Sequence, residues 1–239
     1  MAREQPAQQL PPVQRLRVRY AKRGRLRFTS HRDFSRAFER AVFRARVPMA
    51  YSSGFNPHPR ISYAGAAPTG SASEAEYLEL ALAEVVEPAT VHAALAEALP
   101  DGLDIVEVVE SPGGSLADLL EASRWRLEVP GVREDVEADV VAFLAAAQAP
   151  VQRMTKKGMR DLDARAAVHS LSVVGAESPT VTLELVLRHT VPAVRPDDVL
   201  AGMAAVSGRA RGGVPLLTRI SQGPLDAATG AIGDPLHPA

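Results

Sequence analysis

The same order of periodic segments runs twice along this chain, once on each side of Ser111-Pro112-Gly113-Gly114. Residues 15–20 alternate strictly, with Arg15, Arg17 and Arg19 on one face and Leu16, Val18 and Tyr20 on the other, which predicts a strand with one buried and one cationic face. Ser30 is placed to cap a helix, with Asp33 three residues on. Phe34, Phe38, Ala41, Val42 and Ala45 follow at helical spacing until Pro48 stops it. Strands are predicted over 61–64, over 76–84 with Leu78, Leu80 and Leu82 on one side, and over 103–109. A helix after Pro88 carries Val91, Leu95 and Leu99.

Beyond the Pro-Gly-Gly stretch comes a strand with Trp125, Leu127 and Val129 and a helix with Val136, Val140, Phe143 and Leu144. Strands near 151–155, 166–174 and 181–187 lead to a helix opened by Pro196 and a last strand over 214–220, one strand more than in the first half. The order β-α-β-β-α-β in each half predicts an α+β protein of two tandem ferredoxin-like domains. The expected organisation is a disordered N-terminus over 1–13, a basic domain over 14–110, a linker over 111–121, a second domain over 122–222, and a Pro-, Gly- and Ala-rich disordered tail over 223–239.

Charge is segregated along this plan. The chain has a formal net charge of -1, yet residues 1–60 hold 14 Lys+Arg against 3 Asp+Glu, while residues 61–150 hold 3 against 17. Blocks of one sign cost self-repulsion, so the first points to a polyanion partner. Packing of the basic block against the acidic one is the alternative. The 239 residues include no cysteine, which excludes a disulfide framework, a thiolate zinc site and a thiol nucleophile. No stretch has the length and apolarity of a membrane span, and the opening residues lack the apolar core of a signal peptide, so a cytoplasmic location without membrane contact is expected. No cofactor is expected either.

Candidate nucleic-acid contacts follow from residue type and spacing. Arg32, Arg36, Arg40 and Arg44 recur every four residues on the first helix, where like charges at that spacing oppose one another. Arg15, Arg17 and Arg19 on the first strand, with Lys22, Arg23, Arg25 and Arg27 after it, add donors suited to phosphate. A Pro- and Gly-restricted stretch supplies Tyr51, Phe55, Asn56, His58 and Arg60, rings and polar groups for unpaired bases beside the cations. A later basic cluster, Arg153, Lys156, Lys157, Arg160 and Arg165, either extends such a track or forms a solvated hairpin. His31 and His58 are the candidates for acid–base chemistry, with Asp33 able to orient an imidazole. No phosphate-binding glycine loop, nucleophile elbow or zinc-protease motif occurs, and no metal site is expected.

Four stretches taken together, Lys22-Arg23-Gly24, Phe28-Thr29-Ser30-His31-Arg32-Asp33, Tyr51-Ser52-Ser53-Gly54-Phe55-Asn56-Pro57-His58-Pro59 and Gly70-Ser71-Ala72-Ser73-Glu74-Ala75-Glu76-Tyr77, resemble the bacterial radical-SAM-linked protein family, a domain family of unknown function. The likeness runs from about residue 15 to 220. Members occur alone or joined to radical-SAM proteins with a cobalamin-binding-type domain, so the resemblance implies a partner enzyme of that kind. Arg32 departs from the family, which commonly has Leu between the histidine and the aspartate. A chain without cysteine cannot hold the radical-SAM cluster, and the implied role is that of an accessory. Three functions are therefore set against one another: an RNA-binding accessory of a separate radical-SAM enzyme in RNA modification or processing, a metal-independent endoribonuclease using His31 or His58, and a protein-interaction scaffold with no RNA ligand.

Overall fold

The computed structural model describes residues 8–155, 158–210 and 212–238. The chain divides into two compact units between Asp118 and Leu119, beside a single 3-10 turn at Ala117–Leu119.

The first unit runs β1 (Gln14–Lys22), α1 (His31–Arg44), β2 (Ile61–Ala64), β3 (Ala72–Leu82), α2 (Pro88–Ala98) and β4 (Leu103–Glu110). Its strands are antiparallel, with β1 between β4 and β3 and β2 pairing with β3. The periodic apolar positions supply the core: Leu16, Val18 and Tyr20 of β1 and Leu78, Leu80 and Leu82 of β3 pack with Phe34, Phe38 and Val42 of α1 and Val91 and Leu95 of α2. Tyr20 stacks on Phe34 with centroids 4.5 Å apart. Truncating a buried aromatic such as Phe38 costs about 3–5 kcal/mol in typical cores.

The expectation of an open cationic face on β1 is corrected here. β1 pairs along both edges, and its arginine face is covered at Arg17, whose side chain is 0% exposed, while Arg15 keeps 52% of its side chain on solvent. Arg17 donates to the Gly113 carbonyl at 2.6 Å and lies 3.6 Å from Glu79. The same carboxylate accepts from Arg15 at 2.8 Å and from the Ser111 hydroxyl at 2.9 Å. Arg19 donates to the Glu74 carbonyl at 2.9 Å. Register shifts beside Tyr20 break the alternation, so Ala21 and Lys22 are both buried.

In the second unit β5 (Ala122–Pro130) leads to α3 (Arg133–Ala145), then β6 (Pro150–Thr155), β7 (Gly158–Asp163), the single turn α4 (Ala164–Ala167), β8 (Val168–Glu177), β9 (Thr180–Arg188), α5 (Pro196–Ser207) and β10 (Leu216–Gly223). Its sheet has the order β10-β5-β9-β8, all antiparallel, with β6 and β7 forming a separate hairpin. The sequence reading has one strand where this hairpin has two. Its second strand is mostly polar and exposed, so it shows no apolar alternation to read. In α5, Gly202 lets the helix approach closely, since a Cβ there would lie 3.1 Å from Ala164 and 3.2 Å from Phe143.

The expected disorder from residue 223 is also corrected. Leu225 bridges Ile232, Asp226 exchanges hydrogen bonds with Ala231 and Gly230 at 3.0 and 2.8 Å, and Leu236 is buried. Turn chemistry at Asp226 holds this segment: its carboxylate accepts from the Ala228 amide at 2.9 Å. Among the described residues no helix is long and apolar enough to cross a membrane.

Candidate nucleic-acid interface

The site is built on α1. Ser30 caps the helix, its hydroxyl accepting from the Asp33 amide at 3.2 Å and donating to the Asp33 carboxylate at 2.7 Å. Asp33 is thus engaged at the cap rather than as an orienter of His31. At ~100° per residue the buried Phe34, Phe38, Ala41 and Val42 occupy one side, and Arg32, Arg36 and Arg40 fall about 80° wide on the opposite side. These three arginines are exposed and make no ion pair or hydrogen bond among the described residues. Arg44 drifts off this line and turns back to donate to the Ala98 carbonyl of α2.

Phe43 lies at the middle of the same arc and is 81% exposed. An aromatic ring on solvent among cations has no packing role to explain it. The helix then ends in a Schellman turn, with the Arg46 amide bonded to the Phe43 carbonyl at 3.1 Å and the Val47 amide to the Val42 carbonyl at 3.2 Å. Such a turn needs a left-handed residue, usually glycine. Here it is Arg46, at φ 53, the one non-glycine with positive φ among the described residues. That conformation costs a non-glycine residue about 1 kcal/mol or more.

Arg46, Phe43 and Glu39 from α1 and its end, with Val47, Met49 and Tyr51 from the following stretch, line a groove of about 500 Å³. Its floor is fixed by main-chain bonds, Ala50 to Ala81 and Arg60 to Ala50 at 2.8 and 2.9 Å, and by a bridge between Tyr51 and Pro59. The predicted aromatic loop is closed by Ser52, whose amide donates to the His58 carbonyl at 2.9 Å and whose hydroxyl accepts from the His58 amide at 3.0 Å. That closure leaves Phe55 60% exposed, with Asn56 and the His58 ring also on solvent and Arg60 half-buried.

The histidines are not assembled into a reacting pair. Among the described residues neither His31 nor His58 makes a side-chain hydrogen bond or ion pair. His31 instead meets the Tyr63 ring edge-on at 5.1 Å. Burial pushes the Tyr63 hydroxyl, which has no hydrogen-bond partner among the described residues, up to about 12, and the Glu39 charge adds to the rise.

The remaining predicted cations separate clearly. Arg23 is held by Glu74 at 2.8 Å and Asp104 at 2.9 Å, and the Glu74 hydrogen bond raises its pKa further. Arg25 is exposed, and Arg27 lies 4.5 Å over the exposed Phe28 ring. In the second unit Arg153 pairs with Asp198, and Arg165 donates to the Leu144 and Val168 carbonyls at 3.2 Å. Lys156 and Lys157 lie outside the described residues. Phe43 and Arg46 escape the sequence reading. Phe43 could be found from its phase, half a turn from Phe34, and Arg46 from the absence of any glycine between Arg44 and Pro48.

The fold and this surface define a mixed α and β protein of two units, the first carrying an exposed row of guanidinium groups beside exposed rings. The chain belongs to the bacterial family described as "Uncharacterized protein conserved in bacteria (DUF2344)", whose model matches residues 15–196. Among curated proteins none matches it. One similar solved structure is described as "Crystal Structure of a Cbf5-Nop10-Gar1 Complex", with 11% identity and a TM-score of 0.46 over 90% of this chain. This chain covers 54% of that one, about half its length.

Proposed function

We propose that this chain is an RNA-binding accessory protein that works with a separate radical-SAM enzyme of the cobalamin-binding type in RNA modification or processing. The observation that carries the RNA part is the row Arg32, Arg36 and Arg40, held on a rigid helix, exposed and without partners among the described residues. A helix selected for stability alone would mix charge signs on that face. Guanidinium groups kept free of internal carboxylates remain available to phosphate, and each phosphate they neutralise releases counterions. The partner enzyme rests on the likeness of the segments around His31, Tyr51 to Pro59 and Gly70 to Tyr77 to the radical-SAM-linked proteins. We also read both units as ferredoxin-like, a reading supported by the repeated order in which the first strand of each unit lies between its last strand and its next-to-last.

The test is to tag the chain in its own host, crosslink, and identify the RNA and protein recovered with it. A defined RNA and a radical-SAM protein are expected together, both reduced by Arg32→Gln, Arg36→Gln and Arg40→Gln combined or by changes in the Asn56 to His58 loop. Recovery of proteins without RNA would contradict the RNA part and favour the scaffold. Metal-independent cleavage of RNA by the purified chain, lost in His31→Ala or His58→Ala, would replace the accessory reading with a nuclease.

A further inference from the structure

We infer that the groove at the end of α1 is a base-stacking subsite that receives one unpaired base of a single-stranded RNA, with Phe43 and Tyr51 against the ring and Arg46 at its phosphate. This inference rests on the RNA reading of α1 and narrows it to a substrate class. Two observations carry it. The first is that Phe43 lies on the arginine line itself, two positions from the core-facing Ala41 yet 81% exposed, so a strand following Arg36 and Arg40 along the helix reaches an open ring. The second is Arg46, left in a left-handed turn where glycine would be free of strain. Local rules broken without a packing gain mark functional positions, and at this position the side chain borders the groove.

The chemistry of the groove selects the occupant. Its floor is apolar, from Val47 and the buried Met49, so it favours a flat ring and not a phosphate. The cations beside it favour a ring attached to a polyanion. In an RNA duplex the bases are stacked on one another and hidden in a deep, narrow major groove, and only an unpaired base can swing out onto a protein ring. Main-chain bonds at Ala50 and Arg60 hold the floor in place before any ligand arrives.

The full chain is tested with a fluorescent 12-nucleotide single-stranded RNA and with the duplex it forms with its complement. The single strand is expected to bind at least tenfold tighter. Phe43→Ala should lower single-strand affinity by roughly fivefold to a hundredfold, the usual range for one stacked base, and leave duplex affinity unchanged, while Phe43→Tyr restores it. Arg46→Gly should weaken single-strand binding and leave the melting temperature unchanged or raised, a combination that a structural role for the arginine does not produce. Equal affinity for the two probes, or a single-strand affinity within twofold of wild type in Phe43→Ala, overturns the stacking subsite and leaves the RNA reading standing. No binding of either probe overturns both. Displacement by polyglutamate at the concentrations at which RNA competes would assign the groove to an acidic protein and overturn the inference.

Discussion

Two sets of arginines, one on β1 and one on α1, stand within thirty residues of each other and have opposite fates. On β1 Arg17 is buried and Arg19 half-buried, so each of these guanidinium groups must find a partner or pay for lost hydration; Arg17 finds Glu79 and the Gly113 carbonyl, and Arg19 the Glu74 carbonyl. On α1 Arg32, Arg36 and Arg40 occupy the side of an amphipathic helix away from the core, where water already satisfies them and nothing in the fold requires their charge. The first set holds structure together. The second is available for something outside the chain.

The largest expected effect breaks this contrast from the β1 side. Arg17→Met leaves the mostly buried Glu79 with less compensation and should lower stability by about 3 kcal/mol or more, seen as a fall in the urea midpoint. Arg36→Gln in the same assay should move stability by no more than about 0.5 kcal/mol. Equal losses in the two variants would mean that the α1 arginines are structural after all.

A smaller effect sharpens the contrast at the seam where α1 meets β2. Tyr63 packs against His31 and Phe34 with its hydroxyl raised from 10.0 to about 12, chiefly through burial. A pKa raised on folding means that the unfolded chain loses this proton first as pH rises. Its contribution to stability is therefore intact below pH ~10 and declines as pH climbs toward ~12. Tyr63→Phe should flatten the loss of stability across that window in a pH series of urea melts. A decline of unchanged steepness would show that the hydroxyl is already wet.

Much of the fold could be read from period and punctuation because the core-facing residues keep strict spacing. Phe34, Phe38 and Val42 repeat on α1, and Leu78, Leu80 and Leu82 alternate on β3. The β6–β7 hairpin could not be read in this way, since Val151 and Leu162 are its only buried apolar residues among those described, while Met154 and Met159 stay exposed. Neither could the ordered tail, which is held by the turn at Asp226 and the burial of Leu236 and not by any periodic run. For the candidate site, arginine spacing identified the helix stripe. It could not tell Arg17 from Arg36, because alternation in a strand marks two faces without saying that both are covered. Arg46 was invisible for a different reason: its significance lies in a backbone angle, and only the missing glycine before Pro48 hints at it.

The central claim, that the α1 arginines meet RNA phosphates, is tested most directly by the salt dependence of binding. Affinity of the full chain for a single-stranded RNA is measured across a range of salt concentrations for wild type and for the combined Arg32→Gln, Arg36→Gln and Arg40→Gln variant. Each phosphate contact on a single strand contributes about -0.7 to the log–log slope, so the variant should bind more weakly with a slope shallower by about 2. A folded variant with the affinity and slope of wild type would contradict the account.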